Sequence, residues 1–331
     1  MLTLHSPEVK FAIEAIRQAS HLVAQVRAEM VSPALTKEDR SPVTVADFSS
    51  QALVAHLLEE AFPDDALVGE EDATALRIPS QRPILEHVTQ FVSVFAPIAT
   101  PESVCAWIDR GAAEHARRFW TLDPIDGTKG FLRGDQYAVA LALIEDGQVQ
   151  IGVLGCPNLV GGYLPAAGDS GSLVVAERMK GAWVVSLNGR GGSFTQLQVS
   201  DYQDPVRARL LRSFESGHTN AGQIDLFAQT LGAAAQPVRM DSQAKYALLA
   251  AGQAELYLRL LSPQKPDYKE KIWDQAAGSL IVEEAGGWVT DLDGKPLDFT
   301  AGRSLSLNRG ILASNGHLHA IALESLRAIG A

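Results

Sequence analysis

The sequence predicts an α+β first half followed by an α/β second half. Three observations carry this: two long amphipathic stretches open the chain, Asp-Gly hairpin signals mark its middle, and strand-length apolar runs alternate with helical ones from Ala208 onward. Ser6-Pro7 supplies an N-cap with Pro at the first helical position, and Val9, Ile13, Ile16, Val23 and Met30 recur at helical spacing to about Met30. The polar run 35–45 reads as a loop. Asp47 opens a second helix whose inner face is Leu53, Val54, Leu57, Leu58 and Ala61, ended by Pro63-Asp-Asp65. Residues 66–68 form a short strand that runs at once into Gly69-Glu-Glu71. From 72 to 114 the pattern supports only a helix near 84–95. The apolar run 119–122 is a strand delivering Asp123 and Asp126; Pro124 turns the chain out of it, and Gly127 allows a close turn before Thr128.

Residues 138–144 and 149–154 flank Glu145-Asp-Gly-Gln148 and predict a hairpin. The Gly- and Pro-rich stretch 155–171 is the candidate boundary between an N-terminal unit, 1–160, and a C-terminal one, 161–331. A second hairpin is expected from 173–176 and 182–185, turning at Lys180-Gly181. The glycines of 187–193 lack the strand-Gly-x-Gly-x-x-Gly-helix order of a dinucleotide site. Beyond them come strand 208–212, helices 223–231 and 242–251, strand 254–260, helix 272–285, strand 310–313 and a last helix from Asn315 to about Ile329.

The 331 residues are 46% hydrophobic and 20% charged, enough for a substantial core. The net charge of −11 and pI near 5.2 argue against a nucleic-acid polymer or an anionic membrane as partner. No secretory signal and no membrane-length apolar run is evident. Cys105 and Cys156 are too few for a disulfide framework; two buried free thiols in a reducing cytoplasm fit better than a single bridge.

Four acidic positions stand at element ends beside small or turn-forming residues: Asp47, Glu70, the Asp123/Asp126 pair, and Asp274. Singly, each has an ordinary reading. Asp47 could be an N-cap, Glu70 part of a solvated acidic loop, Asp123 and Asp126 a surface Asp-Pro turn, and Asp274 a partner of a helix dipole. Together they supply only oxygen donors from separated segments, with no Cys/His set, which suits Mg²⁺ over Zn²⁺ and hence phosphate chemistry.

Gly69-Glu-Glu71, Trp120-Thr-Leu-Asp-Pro-Ile-Asp-Gly-Thr128 and Trp273-Asp-Gln-Ala-Ala-Gly278 with Glu284-Ala-Gly-Gly287 resemble the inositol-monophosphatase superfamily of lithium-sensitive, Mg²⁺-dependent phosphatases. The resemblance spans most of the chain, with the motifs in family order. Ser41-Pro-Val-Thr-Val-Ala-Asp47, Gly127-Thr-Lys-Gly-Phe-Leu-Arg-Gly134, Asp241-Ser-Gln-Ala-Lys-Tyr246 and Tyr257-Leu-Arg-Leu260 with Tyr268-Lys-Glu-Lys-Ile-Trp-Asp274 are closest to its 3′(2′),5′-bisphosphate nucleotidase branch. The resemblance implies a layered αβαβα sandwich. It implies a first metal held by Glu70, Asp123 and the Ile125 carbonyl, and a second held by Asp123, Asp126 and Asp274. A third, weaker metal near Glu70 would make two or three Mg²⁺ per site. Asp47 and Thr128, hydrogen-bonded together, with Glu70 nearby, would activate water. His218, Asp241, Ser242, Lys245, Arg259 and Tyr268 would bind an adenosine bisphosphate. Spacing alone favours Lys245 and Arg259 on solvated faces, Tyr268 as a loop aromatic and His218 in a turn; for Lys245, Arg259 and Tyr268 the resemblance reverses that preference. The segment 72–118 gives no residue-by-residue match. Asp291-Leu-Asp-Gly294 resembles a calcium loop, but Gly302 stands where its last ligand should be, so a turn is expected. The alternatives are an inositol phosphate phosphatase and a non-catalytic nucleotide sensor; the intact Asp47, Glu70 and Thr128 set speaks against the sensor.

Overall fold

The computed structural model describes residues 6–31, 41–114, 116–166, 170–189, 192–214, 221–262 and 264–331. Helix α1, Pro7–Met30, starts as its sequence predicts, with the Ser6 hydroxyl accepting from the Val9 N–H at 3.3 Å. Helix α2, Ser41–Ala61, begins six residues earlier than the expected opening at Asp47. Pro42 suits a first turn, where its missing N–H costs nothing, and Val45 and Ala46 bury at once. Strand β1, Ala66–Gly69, follows, then α3, Arg82–Ser93, and α4, Pro101–Asp109. Helix α4 is not among the elements the sequence predicts, although Thr100 and Ser103 form a capping box with Pro101 between them.

Strand β2, Arg118–Asp126, and short helix α5, Thr128–Arg133, lead to β3, Ala138–Glu145, and β4, Gln148–Cys156. The β3–β4 turn places both Asp146 and Gly147 at positive φ, as an Asp-Gly hairpin requires. A two-stranded ribbon, β5 (Leu159–Val160) and β6 (Leu164–Pro165), precedes β7 (Ser172–Glu177), β8 (Ala182–Ser186) and β9 (Thr195–Gln196). The Glu284 carboxylate accepts from the Met179 and Gly181 N–H groups of the β7–β8 turn, which gives one of the motif acids a structural role. The second half contributes β10 (Leu210–Arg212), α6 (Ala221–Leu231), β11 (Val238–Arg239), α7 (Ala244–Ala250), β12 (Leu256–Arg259), α8 (Ala276–Glu284), β13 (Trp288–Thr290), β14 (Ile311–Ser314) and α9 (His319–Ala328). The last helix starts later than Asn315 because Asn315 spends its side-chain oxygen on the Leu318 N–H, making a turn first.

Among the described residues seven strands form one sheet in the order β1-β2-β3-β4-β7-β8-β9, which extends along the chain to Gln196. Five form the second, β11-β10-β12-β14-β13. Strand β3 is buried on both faces. Val139, Leu141 and Leu143 face the core shared with α1 and α2, while Ala138, Ala140 and Ala142 face the core shared with α7 and α8. The second sheet turns Tyr257, Ile311 and Ala313 toward α7 and α8, and Leu256, Leu258 and Leu312 toward α6 and α9. The layers therefore run helix, sheet, helix, sheet, helix, the αβαβα arrangement expected. Cys105 and Cys156 are buried free thiols. Among the described residues no helix is long and apolar enough to cross a membrane.

Candidate active site

Side chains in a regular strand alternate faces, so carboxylates three residues apart should point oppositely. Asp123 and Asp126 do not. Asp123 pairs with Ala140 and Asp126 with Ala138, so β2 carries one more residue than β3 between them. This bulge restores the parity and brings both acids to one side. Pro124 sits within it, where no ladder N–H is required. The chain therefore stays in the strand through Asp126 rather than leaving at Pro124. Strand β1 runs parallel to β2 with Gly69 beside Leu122, which brings Glu70 out next to Asp123. The two carboxyls act on each other, each among the groups that shift the other's affinity for a proton. Gly127 then turns at φ 88°, and a Cβ there would lie 2.8 Å from the Ser242 Cβ.

Asp47 is the seventh residue of α2, not its cap, and only 7% exposed. One turn later, buried Gln51 donates to the Glu71 carbonyl at 2.6 Å and the Ile108 carbonyl at 2.8 Å, and accepts from the Glu71 N–H at 3.0 Å. It thereby clasps the loop that carries Glu70. Asp274 lies in the turn before α8, not in its first turn. Gln243 holds that turn: its side chain donates to the Trp273 carbonyl at 2.9 Å and accepts from the Gly278 N–H at 3.2 Å. Ser242, at φ 65°, aims the Gln243 backbone N–H at Asp126 Oδ2, 2.5 Å away.

One cavity of about 570 Å³ gathers Asp47, Glu70, Asp123, Ile125, Asp126 and Thr128 from the first half, and Asp241, Ser242, Lys245, Arg259, Tyr268 and Asp274 from the second. Of the residues named from the sequence, His218 alone lies outside the described residues. Asp47 and Thr128 share the cavity wall, but the hydrogen bond expected between them is not formed. Buried Asp47 and exposed Thr128 approach it from different elements.

Six of the carboxyls lining this space, Asp47, Glu70, Glu71, Asp123, Asp126 and Asp274, are pushed up. Burial raises Asp47 most, with Glu71 and Glu70 adding repulsion. Asp123 is raised by burial, then by Glu70, Asp126 and Asp274. Asp274 is raised by burial, then by Asp126. Burial raises Asp126 although Lys245 and Arg259 pull it back. Glu70 stands at the exposed mouth, yet enough protein surrounds its carboxyl to raise it, with Asp126 adding. Glu71 is lifted to about 7, by burial first and then by Glu70. Asp123 Oδ1 is buried without a hydrogen-bond partner. Oxygen-only donors, mutual repulsion and an orphaned carboxylate oxygen fit a hard divalent cation. Among the described residues no three acids already stand in a metal-holding arrangement, so a cation would have to draw the ring inward.

The opposite wall is cationic. Lys245 is 3% exposed, its Nζ 3.2 Å from Ser213 Oγ and 5.1 Å from the Tyr257 ring centroid, and burial lowers it to about 8. Arg259 is gripped by Glu270 through Nε at 3.1 Å and Nη2 at 2.8 Å. Glu270 also accepts from Gln275, which in turn accepts from the Tyr246 hydroxyl. Asp241 pairs with Arg133 and accepts from the Phe214 N–H. Sequence reasoning passed over Gln51, Glu71, Gln243 and Glu270. Glu71, Gln243 and Glu270 lie inside quoted motifs, but nothing in their spacing distinguishes a clasp from a bystander.

The inositol monophosphatase family model matches residues 5–331. A 3′(2′),5′-bisphosphate nucleotidase of Schizosaccharomyces pombe is 41% identical over 339 residues, covering 97% of this chain and 95% of its own. One of Oryza sativa is 41% identical over 342 residues, covering 98% and 94%. The solved structure of Thermotoga maritima IMPase, at 20% identity, shares the fold with a TM-score of 0.63 over 98% of both chains. With the family model matched over residues 5–331 and relatives at 41% identity along nearly its whole length, the protein belongs to the inositol monophosphatase family.

Proposed function

We propose that this protein is a Mg²⁺-dependent 3′(2′),5′-bisphosphate nucleotidase that removes the 3′-phosphate of 3′-phosphoadenosine 5′-phosphate, giving AMP and phosphate, and that accepts the sulfated form of the nucleotide. The observation that carries this reading is one cavity holding six raised carboxyls against Lys245 and Arg259. A single phosphate needs only the acid side; the buried cations provide for a second anionic group. The nucleotidases that match this chain nearly end to end support the same substrate.

In this reading Glu70, Asp123 and the Ile125 carbonyl hold one Mg²⁺, and Asp123, Asp126 and Asp274 hold another, with room for a third near Glu70. Bound there, the ions supply Lewis acidity and lower the pKa of water. The chain's own groups do the rest. Asp47 takes the proton of the attacking water, a task its raised affinity for protons suits. Thr128 and Glu70 orient that water. Lys245 meets the uncleaved phosphate as a point charge, and Arg259 with the fork edge that Glu270 leaves free. Tyr268, at the cavity mouth, flanks the nucleoside, with Asp241, Ser242 and His218 completing its pocket. Free buried thiols support a reducing compartment such as the cytoplasm.

The test is phosphate release from 3′-phosphoadenosine 5′-phosphate, inositol 1,4-bisphosphate, inositol 1-phosphate and fructose 1,6-bisphosphate in Mg²⁺, with and without Li⁺. Lithium-sensitive preference for the nucleotide is expected. Preference for an inositol phosphate would sink the nucleotide assignment, and silence with tight nucleotide binding would identify a sensor.

A further inference from the structure

We propose that Arg303 is a positioning residue that ties the two halves of the acid ring together by fixing the backbone from which Glu70 and Asp274 reach into the cavity. The inference rests on the metal-dependent reading above and adds a residue to it that touches neither metal nor substrate.

Glu70 and Asp274 come from different halves of the chain and from different sides of the cavity. Arg303 reaches the residue immediately before each. Its Nη2 donates to the Gly69 carbonyl, and its Nη1 to the Gly111 carbonyl at 3.0 Å and the Ala113 carbonyl at 3.4 Å. Gly111 is itself part of the same support, since its carbonyl also accepts from the Gly69 N–H at 2.8 Å. The flat guanidinium then lies over the Trp273 ring, 4.9 Å from its centroid. Trp273 is only 5% exposed, so the platform is fixed.

The main chain around Arg303 grips the Asp274 side as well. The Ile272 N–H donates to the Arg303 carbonyl at 3.3 Å and the Leu305 N–H to the Glu270 carbonyl at 2.8 Å. Lys271 and Ser304 form an antiparallel bridge between those two bonds. The backbone of Arg303 is thus fastened to the strip leading into Asp274, and its side chain to the loop leading out into Glu70. A guanidinium suits this task because a planar fork can serve several carbonyls at once while stacking on an indole; an ammonium cannot do both. Gln51 clasps the same loop from the opposite side, through the Glu71 backbone. Glu70 is therefore pinned between a clasp from its own half and a bolt from the other. With the backbone on both sides already fixed, only the carboxylate side chains have to move when a cation draws them in.

The experiment compares native protein, Arg303→Lys and Arg303→Met. Mg²⁺ is titrated calorimetrically into metal-stripped protein without nucleotide, and melting is followed in chelator. Both variants should bind Mg²⁺ about 10–100-fold more weakly, the usual effect of removing a group that orients ligands, while metal-free melting falls by only a few degrees. The Mg²⁺ concentration that half-saturates phosphate release should rise in parallel. Native Mg²⁺ affinity in Arg303→Met, even with a lowered melting point, would make Arg303 a mere structural tie and overturn the proposal. Full native affinity in Arg303→Lys would also overturn it, because charge rather than the fork would then suffice. Arg303→Lys serves as the readout should Arg303→Met fail to fold. The titration contains no nucleotide, so an error in the substrate assignment leaves its result intact. Native protein that binds no Mg²⁺ would overturn both this inference and the metal-dependent reading.

Discussion

Gln51→Leu is the sharpest single perturbation of the loop that carries Glu70. Gln51 is fully buried and makes three hydrogen bonds, two to Glu71 and one to Ile108. Leucine fills the space but breaks all three bonds, leaving the Glu71 N–H and carbonyl unpaired while the Ile108 carbonyl keeps the Gly111 N–H at 2.9 Å. At about 1 kcal/mol each, the loss is about 3 kcal/mol. An unfolding entropy of about 2.1 cal/mol/K per residue gives roughly 0.7 kcal/mol/K for a chain of this length, so melting should fall by about 4 °C. Leucine is also broader than the amide where it passes Gly69, at which even a Cβ would lie 2.5 Å from Gln51 Oε1. The loop should therefore shift, and turnover should fall about 10–100-fold, as for other residues that orient ligands. Thermal denaturation and phosphate release measured on the same preparation check both numbers. A melting point lowered by the calculated amount with unchanged turnover would refute the positioning argument. An unchanged melting point would refute the hydrogen-bond count. Gln51→Glu should be worse than leucine near neutral pH, since it sets a carboxylate against two carbonyls and adds a charge to a ring of six.

Asp123→Asn should abolish turnover yet raise the melting point of metal-free protein at pH 8, because burial and neighbouring acids make the Asp123 charge unfavourable in the fold; a lower melting point would contradict the crowding. Lys245→Met should cost about 10–100-fold in kcat/KM on a bisphosphate nucleotide but little on inositol 1-phosphate, from the roughly 1.5–3 kcal/mol of a charged hydrogen bond; equal losses would remove Lys245 from the second-phosphate site. His319 is buried against Thr290 and Ser314, with its pKa lowered by burial to about 4. Between that value and the ordinary 6.5 the unfolded chain binds a proton that the fold refuses, so this contribution is complete above pH 6.5 and is lost as pH falls toward 4. It amounts to no more than about 3 kcal/mol. Urea unfolding of His319→Gln should show a flatter slope across that window, and an unaltered slope would contradict a buried neutral His319.

The elements most legible in the sequence were those whose local chemistry agreed with the fold. Ser6-Pro7 began a helix, Asp146-Gly147 turned a hairpin, and the alternation after Ala208 gave the second sheet. The misjudged boundaries have different causes. At Ser41 the signal is local, Pro42 in the first turn, whereas at Ala276 and His319 a side chain holds the turn before the helix. Gln243, thirty or more residues away along the chain, holds the Trp273–Gly278 turn open and delays α8, while Asn315 satisfies the N–H of Leu318 and delays α9. Side-chain bonds of this kind, distant or local, leave no periodicity to read.

The site divides the same way. Its acids were legible because a metal-ligand set demands particular residue types, and few arrangements place so many carboxylates at element ends. Their supports were not, because a glutamine that clasps a backbone looks like any other glutamine. The spacing of Asp123 and Asp126 shows where the two kinds of information meet. Taken as a strand, that spacing should have set the acids on opposite faces; taken as a turn at Pro124, it should have ended the strand. The bulge reconciles both, since Pro124 cannot complete the ladder and one extra residue reverses the parity. What looked like a strand end is a strand with its pairing interrupted at one point. That interruption is what allows two acids on one rigid element to face the same cavity, with Glu70 beside them on the parallel neighbour and Asp274 brought over from the second half.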